Sequence, residues 1–109
     1  MRVQARHVVM TATIANGAAI SNALPVHAYT NFGLVLTAAF TGATIKFSVS
    51  ADNVTYQDLY DRSNNLVSVP VTQGRSYDLP GELADWAFFK IVSASNEAAD
   101  RLLIVIAKS

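Results

Sequence analysis

The chain has 109 residues with a formal net charge of zero, no cysteine, 51% hydrophobic residues and only 15% charged ones. This length supports one domain with a real core, and the lack of cysteine excludes disulfide scaffolds, zinc ribbons and thiol catalysis. The basic residues are scattered and balanced by acidic ones, which excludes the basic stripe of a nucleic-acid binder, and the longest apolar run, Leu102 to Ala107, is far short of the ~20 residues of a membrane helix. An average soluble domain carries about 25% charged residues. So low a charge predicts that another subunit covers part of the surface, and a net charge near zero supplies little repulsion against assembly. The segment MRVQARHVVM has no apolar stretch of signal-peptide length, so the chain is expected to be soluble and to stay where it is made unless packaged.

Residues 1 to 5 read as a short arm, and residues 6 to 109 as a single domain. From Arg6 the sequence alternates, with Val8, Met10, Ala12 and Ile14 on the face predicted to meet a core. Asn16-Gly17 is a turn signal, and Ala18 to Leu24 returns as a small-residue segment that Pro25 ends. Val26 to Tyr29 and Phe32 to Ala38 are the next strand candidates. Phe32 to Leu36 is apolar on both faces, as a central strand is.

Thr44 to Tyr60 reads as a β-hairpin. Ile45, Phe47 and Val49 alternate with Lys46, Ser48 and Ser50, and Ala51-Asp52-Asn53 supplies residues that tolerate positive φ. The expected second strand, Val54 to Tyr60, does not hold one phase: either Tyr60 continues the inner face and Leu59 meets a partner, or a bulge near Gln57-Asp58 resets the register. Asp61 to Asn65 is a polar turn. Leu66 to Thr72 follows with Val67, Val69 and Val71 on one face, and Pro70 marks it as an edge strand. Ser76 to Leu79 is a short strand, and Pro80 to Asp85 holds the one expected helical turn. Trp86 to Val92 is an aromatic strand, Ser93 to Asp100 a polar loop, and Leu102 to Ile106 a final strand apolar on both faces.

Eight or nine short strands at intervals of about ten residues predict an all-β, antiparallel β-sandwich. Because the strands at both ends of the chain are apolar, they are expected to pair, giving a jelly roll.

No residue constellation points to a reaction, and no cofactor or metal is expected. His7 and His27 lack companions at ligand spacing. Asp52, Asp58 and Asp61 miss the calcium-loop pattern. No serine sits in a nucleophile elbow and no glycine-rich loop resembles a phosphate cradle. Trp86, Phe88 and Phe89 have the makings of a sugar-stacking platform, but a core strand with one interface face is the favoured reading. Phe88 and Phe89 must point to opposite faces. The two-faced apolar strands argue for subunit contact, and Phe88, Leu103 and Val105 are the candidates there. Arg2, Arg6 and His7 of the arm region are the candidates for contact with a larger partner, since termini order readily on binding.

The phrases TATIANGAAIS, ATIKFSVSADNVTYQDLYD, FFKIVS and NEAADRLLIVIAKS resemble small β-sandwich proteins encoded in the structural gene clusters of tailed bacteriophages. The likeness spans nearly the whole chain, but its motifs are turn and packing residues. Two departures fall in loops: Asp52-Asn53 stands where that family has Asp-Gly, and Ser93-Ala94 where it has Ser-Gly. The resemblance implies a non-enzymatic virion protein, made in the bacterial host cytoplasm and carried on the capsid exterior. The implied role is capsid decoration (cement): it would bind the major capsid protein as a homo-oligomer, a dimer or trimer, without nucleic acid or membrane. The alternative is a carbohydrate- or receptor-binding or assembly module of a tail or spike.

Overall fold

The structure, a computed structural model, describes residues 7–27, 29–37 and 39–109. The arm, with Arg2, and the domain's first residue, Arg6, lie outside the described residues. The described residues form nine strands: β1 (His7–Ile14), β2 (Leu24–Pro25), β3 (Asn31–Val35), β4 (Thr44–Ser50), β5 (Gln57–Asp58), β6 (Ser68–Pro70), β7 (Ser76–Asp78), β8 (Phe88–Ser93) and β9 (Arg101–Lys108). One 3-10 turn, Gly81–Asp85, falls where Pro80 to Asp85 predicts it.

The strands form two antiparallel sheets, ordered β1-β9-β3-β7 and β2-β8-β4-β5, with β6 on the same edge of β4 as β5. The chain passes from one sheet to the other at most connections, and β1 pairs with β9 from His7↔Lys108 to Ile14↔Arg101. This is the double Greek-key wrap of a jelly roll. Strands from the two ends of the sequence therefore sit side by side, as their apolar character predicts.

Period-2 alternation decides what lies between the sheets. Ile45, Phe47 and Val49 of β4, Phe89 and Ile91 of β8, Phe32 and Leu34 of β3, and Leu103, Val105 and Ala107 of β9 are all buried. Phe89 meets Phe32 of the opposite sheet edge-on at 5.5 Å and Phe47 of its own at 5.9 Å, arrangements that add about 0.5–1.5 kcal/mol each beyond area burial.

Three segments depart from the pattern read in sequence. Of the expected strand Val26 to Tyr29, the described residues Val26, His27 and Tyr29 lie in none; Val26 is buried and its N–H donates to Ala87 O, but the pairing ends at Pro25. Ala18 to Leu24 leaves β1 after a single bridge, Ile14↔Ser21, and crosses to the other sheet. The second strand of the hairpin shrinks to β5, since residues 51–56 are a loop and Val54 is 81% exposed. From Gln57 to Leu59 a single phase holds: Asp58 lies opposite Ser48, and Leu59 is buried with its N–H on Phe47 O. Neither a bulge at Gln57-Asp58 nor an inward Tyr60 is needed. β5 and β6 are one broken edge strand, interrupted by a small hairpin that the Tyr60↔Leu66 bridge closes.

At one end of the sandwich the crossing loops converge on Glu97, a buried carboxylate in what reads in sequence as a polar loop. Its Oε1 accepts from the Thr41 N–H at 3.0 Å and from Arg101 Nε at 2.9 Å; its Oε2 accepts from the Thr41 hydroxyl at 2.9 Å and the Ser93 hydroxyl at 3.3 Å. Its backbone N–H donates to Ala18 O and its carbonyl accepts from Gly17 N–H. Gly42 closes the cluster: a Cβ there would overlap Ser93 Oγ and stand 3.0 Å from a Phe40 ring carbon.

Gly42→Ala is therefore expected to cost about 1–3 kcal/mol, the usual range for overpacking, measurable as a lower urea midpoint at unchanged slope. Burial pushes the Glu97 carboxyl up, but hydrogen bonds from Arg101 and from Thr41 outweigh it and hold the group below its ordinary 4.5. A depressed carboxyl adds stability above the unfolded-state value and loses it as pH falls through the folded one. Thermal unfolding followed below pH 4.5 should show wild-type stability declining, with a shallower decline in Glu97→Gln from a lower starting point.

Candidate functional site

Two surface features stand out on the sandwich, and they are chemically opposite to the faces around them. The first is the outer face of the β1-β9-β3-β7 sheet. Its outward positions are every second residue of each strand, so the register places Val9 beside Ile106 and Gly33, and Thr11 beside Ile104 and Val35. Leu102 continues the stripe next to Thr13. Val9 is 58% and Leu102 51% exposed. The face is apolar at its centre, with His7 and Lys108 at one end and Asp78 beside Gly33 on the β7 edge. The outer face of the other sheet carries Lys46, Ser48 and Lys90 in its middle, with a Lys46–Asp58 ion pair at 3.1 Å and Lys90 Nζ 4.2 Å over the Tyr56 ring.

The second feature is a groove of about 270 Å³ at the end of β4. Trp86, Tyr60, Asp52, Thr55, Gln57 and Asp58 line it, with the buried Val49 and Leu59. The loop beside it is built by side-chain oxygens. Asp52 Oδ1 accepts the N–H groups of Val54 and Thr55 and the Ser50 hydroxyl, while Ser50 Oγ accepts the N–H groups of Asp52 and Asn53. Those bonds, the Thr55 and Val54 N–H groups first, lower the Asp52 carboxyl below its ordinary value. Asn53 adopts φ 62°, the left-handed conformation read from its residue type. Tyr56 donates to Asn53 Oδ1, and burial, then the Asp52 charge, pushes its phenol up.

The candidate contact residues fall in three places. Arg2 and Arg6 lie outside the described residues. His7 is exposed at the start of β1, and Phe88 is half-buried on the outer face of its sheet, opposite Pro25 and Ser50. Leu103 and Val105 are fully buried between the sheets. That corrects their reading as contact residues: β9 is apolar on both sides, so sequence does not say which parity is inward, and the structure puts Leu102, Ile104 and Ile106 outside. Phe89 is a core residue, which leaves Trp86 alone of the three aromatics in a groove.

The three aspartates of the hairpin region do not converge. Asp52 and Asp61 spend an oxygen on their own loops, and Asp58 pairs with Lys46. Among the described residues, no group of three or more His, Asp or Glu side chains is placed to hold a metal. Glu97 went unrecognised in the sequence; the signal was its spacing of four from Arg101.

No protein-family model and no curated protein matches the chain in sequence. The crystal structure of SPBc2 prophage-derived protein YomS is similar to it, with a TM-score of 0.69 over 100% of this chain and 98% of that one, at 14% identity. At that identity the likeness shows the fold.

Adjacent residues of β9 make the division between core and outer face measurable. Leu103→Ala should cost about 2–5 kcal/mol, as buried leucine truncations do, and Leu102→Ala within about 0.5 kcal/mol, both read from urea unfolding.

Proposed function

We propose that the protein is a non-enzymatic structural component of a tailed-phage particle, a capsid decoration protein that binds the outer head surface as a homo-oligomer. The observation that carries this reading is the apolar outer face around Val9, Leu102, Ile104 and Ile106, in a domain whose other outer face is charged and polar. An apolar patch of this kind, rimmed by polar residues, is often a functional contact surface. The phage-family resemblance in sequence and the likeness in fold to a prophage-derived protein support the same reading.

The mechanism is physical. Four strands about 4.8 Å apart, with outward residues repeating every ~6.8 Å, give a face of roughly 500 Å². That is below the ~800 Å² per partner of a standard interface. One contact through this face is therefore weak, and many copies on one shell supply the missing affinity through multivalency. The apolar face joins copies to one another. The arm, which precedes His7 in sequence, reaches the major capsid protein. Each bridged pair of capsid subunits then resists outward pressure with the burial energy of its contacts.

Purified particles should carry on the order of hundreds of copies, as a multivalent cement requires. Val9→Glu and Leu102→Glu should keep the wild-type melting temperature, run as monomers in sedimentation, and lose at least about tenfold in binding to expanded heads. About a dozen copies per particle or fewer, or wild-type assembly by both variants, would sink the proposal in favour of a tail component.

A further inference from the structure

We propose that the groove at the end of β4 is a saccharide site that takes one neutral hexopyranose unit of a glycan. It lies apart from the apolar face and does not depend on what covers that face.

A pyranose ring presents two surfaces to a protein: a patch of C–H groups and a rim of hydroxyls. The first is recognised by an aromatic plane, the second by carboxylate, amide and hydroxyl groups. The groove brings both kinds together. Trp86 and Tyr60 line it, and Gln57, Asp58, Thr55 and Asp52 line the same space. Trp86 is already held. Its side chain packs against the core and its backbone N–H donates to Leu83 O, while the Tyr60 backbone bridges to Leu66 and its ring remains 53% exposed. Aromatic surface presented rigidly costs little entropy on binding.

The polar side is held as well. Asp52 has one oxygen committed to the Val54 and Thr55 N–H groups, which stiffens the loop that carries Thr55. Asp58 is oriented by Lys46 through one oxygen, Oδ2, at 3.1 Å. A carboxylate so placed accepts from vicinal hydroxyls through its remaining lone pairs.

Charge selects the class of sugar. Two carboxylates line the groove, Asp52 without a cation partner and Asp58 paired with Lys46 from outside the lining, and none of the lining residues is basic. Anionic ligands such as sialic acid, uronic acids and phosphate therefore meet like charge, and a neutral ring does not. Size selects the length. At about 270 Å³ the groove falls just below the ~300–1,000 Å³ of pockets that enclose drug-sized ligands. One ring fits, and the rest of the glycan stays in solvent. A single shallow subsite of this kind binds at roughly millimolar strength, and repetition over a particle raises the avidity by about 10²–10⁴. Display in many copies is the setting in which such a weak site becomes useful.

Trp86 is the chain's single tryptophan, so its emission reports the groove directly. The full chain would be titrated with glucose, galactose, mannose, N-acetylglucosamine and N-acetylgalactosamine, each as monosaccharide and as short oligosaccharide. At least one should give a saturable change in emission with matching heat in calorimetry. Tyr60→Ala and Asp58→Asn, both exposed positions, should each weaken that sugar about tenfold without changing the fold, and Leu102→Glu should bind it as wild type does. The proposal is overturned if no neutral sugar gives a saturable response. It is also overturned if both groove variants bind unchanged, or if N-acetylneuraminic acid or inorganic phosphate binds as tightly. Loss of assembly in Leu102→Glu with sugar binding retained separates this site from the apolar face.

Discussion

Glu97 is the constraint on which the crossing end of the sandwich depends. A jelly roll passes its chain from sheet to sheet, so its connections have no ladder to satisfy their backbone groups. Here one carboxylate ties two of them together, the loop before β4 and the loop between β8 and β9. It receives the backbone and hydroxyl of Thr41 from the loop before β4, the hydroxyl of Ser93 at the end of β8, and Arg101 at the start of β9. Its own peptide group holds the turn at Gly17-Ala18 that follows β1. Burying an ion costs several kcal/mol, while each hydrogen bond to a charged group returns about 1.5–3 kcal/mol. Four such bonds are enough to offset the cost, and fewer would leave the balance in doubt. The surrounding residues follow from that geometry. Ser93 must approach closely enough to leave position 42 without room for a Cβ, and the Asn16 N–H finds Asp100 Oδ1 because the same two loops are already joined.

Fixing that end has consequences at the sheet it feeds. β1 is an edge strand of eight residues, and a long open edge is a template for unwanted pairing. The segment after the Gly17 turn returns along it, and Asn22 occupies the edge with its amide: Oδ1 takes the Thr13 N–H and Nδ2 reaches Thr11 O. Asn22 mimics one rung of a neighbouring strand at that point. The opposite long strand, β9, is enclosed between β1 and β3. Much of the ladder of the apolar sheet is thus closed or capped, and what it offers a partner is mainly its face. Association through side chains on a face, not through backbone on an edge, is the kind that can be specific and reversible.

The parts of the fold that were legible in sequence share a physical reason. β4 could be read because Ile45, Phe47 and Val49 alternate with polar residues, so period and burial agree. Pro70 and Pro25 fall on outer strands because neither can donate to a ladder. β9 could be recognised as a central strand, yet its inward parity could not be, because a run that is apolar at every position carries no phase. Leu103 and Val105 were misplaced for that reason alone. The hairpin misled differently. Val54 and Tyr56 are good strand formers held in a loop by hydrogen bonds to the Asp52 and Ser50 side chains, local bonding that competes with a ladder. Glu97 was hidden because its partners, Thr41 and Ser93, are distant or unremarkable in sequence, and burial of an acid is rare enough not to be assumed.

That same local competition explains why the groove exists. Had Val54 to Tyr60 continued as a strand opposite β4, the space beside Val49 and Ser50 would be filled by a regular hairpin. Instead the chain holds a loop over residues 51–56, resumes pairing for two residues, and breaks again into the Tyr60–Leu66 excursion. Each interruption sets an aromatic or a polar side chain where a ladder would have placed a backbone group. Irregular edge segments cost pairing energy, and they are where binding groups collect on a rigid scaffold. The jelly roll can bear that cost because its other end is clamped and its core is continuous across both sheets. The hairpin that carries the family resemblance in sequence is thus the place where this chain departs furthest from a regular sandwich, and the groove follows from that departure.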